Sequence, residues 1–267
     1  MTVNFEDLFE QAWRIEMSGH VTDAVAAYRD IAELSREDHD RPHHMKAILG
    51  AGRSAAMAIS PDARSYYRDS LALFSEGLQE AIQLQDQVAT GVIYHEMARA
   101  ADAAADFASA AVFFQKALET LEKNEAIGEL AATYADLGSH LSRLGQLDGS
   151  IQMLEKALSL FNKEPLSGFY QARARVDFAI TKLRKEDFDS AKRYLEEAIS
   201  WFEADHGRDR YTHDLARTQG LMAIISRRSG DGEAGRRSQA KSDRSLKDLE
   251  AIVASRIQTE LRLLERV

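Results

Sequence analysis

Residues 133–160 read TYADLGSHLSRLGQLDGSIQMLEKALSL, and the layout of that stretch recurs about 40 residues away on either side, with Ala117, Ala157 and Ala198 spaced 40 and 41 apart. Tyr134, Leu137, Gly138 and Leu141 share one face of a first helix. Gly145 ends it, and Leu147, Ile151, Leu154, Ala157 and Leu158 form the stripe of a second. Two helices joined this tightly lie antiparallel and seal each other's apolar stripe. The small residues Gly138 and Ala157 fall where the axes must approach, so they set how closely the hairpin closes. Such hairpins in series stack, each covering its neighbour.

The same positions are filled one unit earlier by Tyr94, Met97, Ala98, Ala101, Ala110, Phe114 and Ala117, and one unit later by Phe178, Ala179, Phe188, Ala191, Leu195 and Ala198. Toward the N-terminus, Gly19, Ala24 and Tyr28 mark one hairpin. Leu49, Gly50, Leu78 and Ala81 mark another, with a longer connection around Pro61. Met222, Ala223, Gly230 and Ala234 mark a sixth. The expectation is one repeat domain over 1–267 with hairpins at 5–36, 43–86, 88–123, 126–162, 166–204 and 208–240. Leu246, Leu249, Val253, Ile257, Leu261 and Leu264 advance 18 residues in five steps, 3.6 per step. That period predicts a capping helix over 241–266 rather than a 3.5-period coiled coil.

Tyr134, Leu137, Gly138, Leu141, Ser150, Leu154 and Ala157 resemble the pattern of the tetratricopeptide repeat. The resemblance implies an all-α fold, an α-solenoid of stacked antiparallel hairpins wound as a right-handed superhelix, with first helices lining a concave groove. A period near 40 is longer than the family's usual 34 or so. It is similar to the repeats of kinesin light chains, vesicle-fusion attachment proteins and bacterial regulators that sense peptide pheromones. The implied function is a noncatalytic scaffold, adaptor or regulator that binds a protein or peptide segment in the groove. Mapping by resemblance puts His95, Arg99, Asp102, Ser139, Ser142, Arg143, Arg173 and Arg184 on that surface. A stripe of arginines suits an acidic or C-terminal carboxylate peptide, because guanidinium grips carboxylate bidentately. The Lys and Asn carboxylate clamp of the chaperone-tail subclass is missing, its places holding Ala135 and Ser139, or His95 and Arg99. Two alternatives stay open: a regulator that senses a peptide or small ligand, and a structural protein that self-associates through its C-terminal helix.

Composition narrows the classes further. With 3 Pro, 15 Gly and no six-residue alternation of β-branched residues, the strand signal is close to absent. A formal charge of -9 argues against nucleic acid as the partner. The local excess of Arg227, Arg228, Arg236, Arg237, Lys241, Arg244 and Lys247 over Asp231, Glu233 and Asp243 reads as a solvated face. No cysteine is present, which removes disulfides, thiolate metal sites and thiol nucleophiles. Charges at Glu6, Asp7, Glu10, Arg14 and Glu16 interrupt any signal peptide, and no apolar stretch is long enough for a membrane span. A cytoplasmic protein without membrane insertion is expected.

Three local patterns invite chemistry and fall short of it. Gly50, Gly52 and Ala55 fit a dinucleotide fingerprint, but a true site needs flanking strands, so close helix packing is the better reading. His95 and Glu96 begin like a zinc-protease helix, yet Arg99 stands where the second histidine belongs. His39, His43 and His44 lie in a turn beside Asp38 and Asp40 at irregular spacing, which reads as a solvated connection. No enzyme, metal or cofactor is expected.

Overall fold

The computed structural model describes residues 4–58, 65–163, 168–204, 211–249 and 251–266. These residues form thirteen α-helices and, among them, no strand. One compact unit, ending at Ala126, holds α1 (Phe5–Met17), α2 (Val21–Glu37), α3 (Arg41–Met57), α4 (Ser65–Gln83), α5 (Gln87–Ala103) and α6 (Phe107–Lys123). The second, from Ile127, holds α7 (Ile127–Arg143), α8 (Leu147–Phe161), α9 (Gly168–Arg184), α10 (Phe188–Glu203), α11 (Thr212–Arg228), α12 (Gly232–Leu246) and α13 (Ala251–Glu265). Consecutive helices pack as antiparallel pairs from α1 to α6 and from α7 to α12, and α13 packs on α11. The connection around Pro61, the starts of the hairpins expected at 166 and 208, and Glu250 lie outside the described residues.

The turns are short because one left-handed residue reverses the chain. Gly145, at φ +77°, donates to the Ser142 carbonyl at 3.0 Å, and the next amide, of Gln146, reaches Leu141 at 2.9 Å. Ala105 and Glu186 make the same turn at φ 59° without glycine. Each is followed by an aspartate that caps the next helix: Asp106 accepts from the Ser109 amide at 3.3 Å, and Asp187 from Ser190 at 3.2 Å.

Small residues let the helices close. In the second unit Ala131, Ala135, Leu154, Ala157, Phe161, Ala174 and Phe178 form one core cluster, and a Cβ on Gly138 would stand 2.7 Å from Leu154 Cγ. Each large side chain fully buried there contributes about 2 kcal/mol of hydrophobic stabilisation. Gly50 and Gly52 lie inside α3, not in a phosphate-cradling turn. A Cβ on Gly52 would come within 2.6 Å of the Phe74 ring, and one on Gly50 would strike Tyr28. The glycine run is room for aromatic rings.

The C-terminus departs from the single helix expected over 241–266. α12 runs on to Leu246, and the amides of Lys247, Asp248 and Leu249 then donate to carbonyls three residues back, at 3.2, 3.2 and 3.4 Å. The helix tightens, turns and restarts as α13. A straight helix would carry its leucines past the end of α11. Turning back buries Val253, Ile257, Leu261 and Leu264, with Leu261 filling the space beside Gly220. The apolar period keeps its phase across the break, which hides the turn from the pattern.

Candidate partner-binding face

In the first unit, α5 carries His95, Arg99 and Asp102. His95 and Asp102 are buried, the His95 ring tilted against Phe114 at 6.4 Å. Arg99 is partly exposed, and its Nη1 donates to Glu96 at 2.9 Å. A second arginine, Arg53 on α3, grips Glu16 on α1 through Nε at 3.0 Å and Nη2 at 3.3 Å. The Tyr28 hydroxyl donates to the same carboxylate at 2.9 Å. Burial first, and then the Glu16 charge, push the Tyr28 phenol well above its ordinary pKa, so it stays a donor.

In the second unit, Ser139 is half-buried on α7 and Arg143, its last residue, is exposed. Ser142 is buried, its Oγ has no hydrogen-bond partner, and its carbonyl accepts from Arg184 Nη1 at 3.0 Å. Burial lowers the Arg184 pKa, and the positive charge of Arg143 lowers it further. Ser142, Arg143 and Arg184 therefore come together at the ends of α7 and α9. Arg173 does not join them. It lies eleven residues earlier on α9, roughly 16 Å along the axis, over the Phe169 ring at 5.8 Å and 3.9 Å from Asp214.

Three further residues escaped the sequence reading. Arg217 on α11 donates from Nε to both Glu260 oxygens at 3.0 and 3.1 Å and from Nη2 at 2.8 Å, while Asp177 on α9 receives one long contact at 3.4 Å. Burial alone would raise the Glu260 carboxyl. Arg217 overrides it, with Arg143 and Arg256 adding their charge, and holds it at about 2. Asp177 goes the other way: burial raises its carboxyl, the distant Arg217 offsets only part, and Asp136 adds repulsion. The signal was a period. Asp136, Asp177, Arg217 and Glu260 follow at 41, 40 and 43 residues, and Glu16, Arg53 and Glu96 at 37 and 43. One charged residue per repeat stands at a single register on the first helices.

This changes the chemistry of the stripe. Arg99 faces a carboxylate in the first unit and Arg173 one in the second, where the first helices show both signs; the like-charged pair Arg143 and Arg184 lies at one edge, with the Glu260 carboxylate acting on both.

The family model for the tetratricopeptide repeat matches residues 129–204, from α7 through α10. Over those residues the chain is similar to tetratricopeptide repeats. Repeats of this kind generally mediate protein–protein interaction. No curated sequence relative matches the chain. Among solved structures, BtubC (BKLC) from P. vanneervenii is 18% identical over 84% of this chain and 90% of that one, with a TM-score of 0.62. A Rap protein complexed with competence and sporulation factor is 11% identical over 97% of this chain and 87% of that one, with a TM-score of 0.60. At such identities the likeness is one of fold: both are helical repeat proteins. Among the described residues, no helix is long and apolar enough to cross a membrane, and no three His, Cys, Asp or Glu side chains are grouped to hold a metal.

Proposed function

We propose that this chain is a noncatalytic scaffold that binds a peptide or protein segment against the first helices of its repeats, with Ser142, Arg143 and Arg184 as the anchoring contacts. The observation that carries this is the juxtaposition of two guanidinium groups with a buried hydroxyl lacking a hydrogen-bond partner. Like charges held close repel, and a carboxylate entering between them relieves that repulsion while accepting their hydrogen bonds. A segment ending in, or rich in, carboxylates fits. Ser139 and Arg173 would supply the flanking surface in this unit, and Arg99 is proposed separately as a first-helix contact of the first unit, where His95 and Asp102 are buried behind it. The test is crosslinking pull-down from the native cell, with a folded Arg99→Glu/Arg143→Glu variant as control. The variant should lose the captured partner; equal capture rejects the assignment.

A ligand-sensing regulator is the second reading, favoured by likeness to the Rap protein across nearly the whole chain. Here a short peptide binds the folded repeats and shifts their stability. It predicts a raised melting temperature in the presence of a cognate peptide from cell extract. Extract fractions that leave the melt unmoved count against it.

A further inference from the structure

On the second helices of the same unit lies a cleft unrelated to the arginine pair. Between α10 and α12, with α11 as floor, a space of about 880 Å³ opens. That is within the rough 300–1,000 Å³ range that takes a ligand of several groups. The floor is Gln219, Met222 and Ser226. Ser226 is only 2% exposed, and its Oγ has no hydrogen-bond partner. A buried hydroxyl in that state is unfavourable until something entering the cleft bonds to it.

The lining itself carries both signs, Lys192, Arg237 and Lys241 against Glu196, Glu203 and Asp231, and the cationic excess lies on the α12 side of the opening. Arg237 and Lys241 line it from α12. Beside them the exposed flank of the same helix continues with Arg236 and Arg244, and Lys247 follows just past its end. At the helical period all five fall on one arc. Arg237 is paired with Glu233, and Lys241 lies 3.8 Å from Glu203 across the opening. No ion pair engages Arg236, Arg244 or Lys247 among the described residues.

We propose that this cleft binds an acidic peptide segment of a partner protein, laid along α12 with its carboxylates on the arginine and lysine arc and its backbone over Ser226 and Gln219. Charge complementarity selects the class. The whole chain stands at -9, so outside this strip acids exceed bases by more than that, and a long polyanion such as DNA is repelled beyond one helix length. A membrane surface is disfavoured because an interfacial helix needs apolar residues facing out. The outward arc of α12 offers only Ala240, and its buried Leu246 faces in. A merely solvated charge strip, for its part, requires neither a cleft nor a hydroxyl waiting at the bottom.

The experiment uses the full chain and a fluorescein-labelled peptide in which Glu alternates with Ser and Leu, read by anisotropy. The probe should bind saturably and more weakly as salt rises. Arg236→Glu/Arg244→Glu should weaken it by about tenfold or more. Ser200→Trp adds bulk from the exposed α10 wall without changing charge and should weaken it comparably. Both variants should melt like the parent; if one does not, Lys247→Glu or Ser238→Trp replaces it. Arg143→Glu should leave the probe bound, which separates this surface from the arginine pair on the first helices. Absent saturable binding, or binding that survives Ser200→Trp, overturns the proposal. So does tighter binding of short duplex DNA or of phosphatidylcholine–phosphatidylserine vesicles.

Discussion

The α7–α8 hairpin and the row of first helices α9, α11 and α13 are held by different means. In the hairpin, contact is between small and apolar groups: Gly138 admits Leu154, and Ala157 is wholly buried in the cluster with Phe161 and Phe178. Across the row, Arg217 reaches Asp177 on one neighbour and Glu260 on the other. The first unit uses the same device between α1 and α3, where Arg53 holds Glu16. Apolar contact is strong but nondirectional, whereas a guanidinium with carboxylates on both sides is satisfied in one alignment. Closing a hairpin thus calls for small residues, and aligning one repeat with the next can be done by charge.

Breaking the hairpin side should have the largest effect. Ala157→Asp places a carboxylate in an apolar seam, at a cost on the order of 5 kcal/mol. The readout is the urea midpoint of the second unit. A variant unfolding at the parent's midpoint would contradict the packing described for α8.

Breaking the charged row should cost less. Arg217→Met leaves Asp177 and Glu260 facing each other without their cation, a loss of about 3 kcal/mol. Adding Asp177→Asn and Glu260→Gln to that variant removes the stranded charges. Thermal melts should then recover most of the loss, because a buried ion cluster adds little net stability over uncharged groups of similar size. If the triple variant stays as unstable as the single one, the row owes its strength, and not only its alignment, to the ions.

The contrast also explains what could be read beforehand. The hairpin side was legible because apolar periodicity and small residues such as Gly138 and Ala157 are what the seam itself requires. The turn at Gly145 was legible for the same reason, but those at Ala105 and Glu186 were not, since there the aspartate cap that follows does the work of a special residue. Arg217, Asp177 and Glu260 were passed over because a charge on an amphipathic helix ordinarily marks the solvent side. Only their recurrence near 40 residues separates them from surface charges. For the candidate site, repeat register placed Ser142, Arg143 and Arg184 on first helices, and the structure adds that long side chains from adjacent helices converge there. Register says nothing of distance along a helix, which is why Arg173 was grouped with residues three turns away.

The smallest and sharpest effect should appear as opposed pH slopes within the row. The Glu260 carboxyl is held at about 2 in the folded state against an ordinary value of 4.5. Its stabilisation is fully present above pH 4.5 and is lost as pH falls from there toward 2. Asp177 is raised above its ordinary 3.8, so the fold favours its neutral form. Its contribution is fully present below that pH and is lost as pH rises through the folded value. Asp177→Asn, which is neutral at every pH, should therefore gain stability near pH 7 and gain nothing at low pH. Glu260→Gln should flatten the acid limb between pH 4.5 and 2. Urea midpoints taken across pH resolve both. The long 3.4 Å contact to Asp177 and the three short ones to Glu260 predict that the two substitutions act in opposite directions near neutrality. Equal losses from both would mean that Arg217 serves the two carboxylates alike, and that burial does not decide between them.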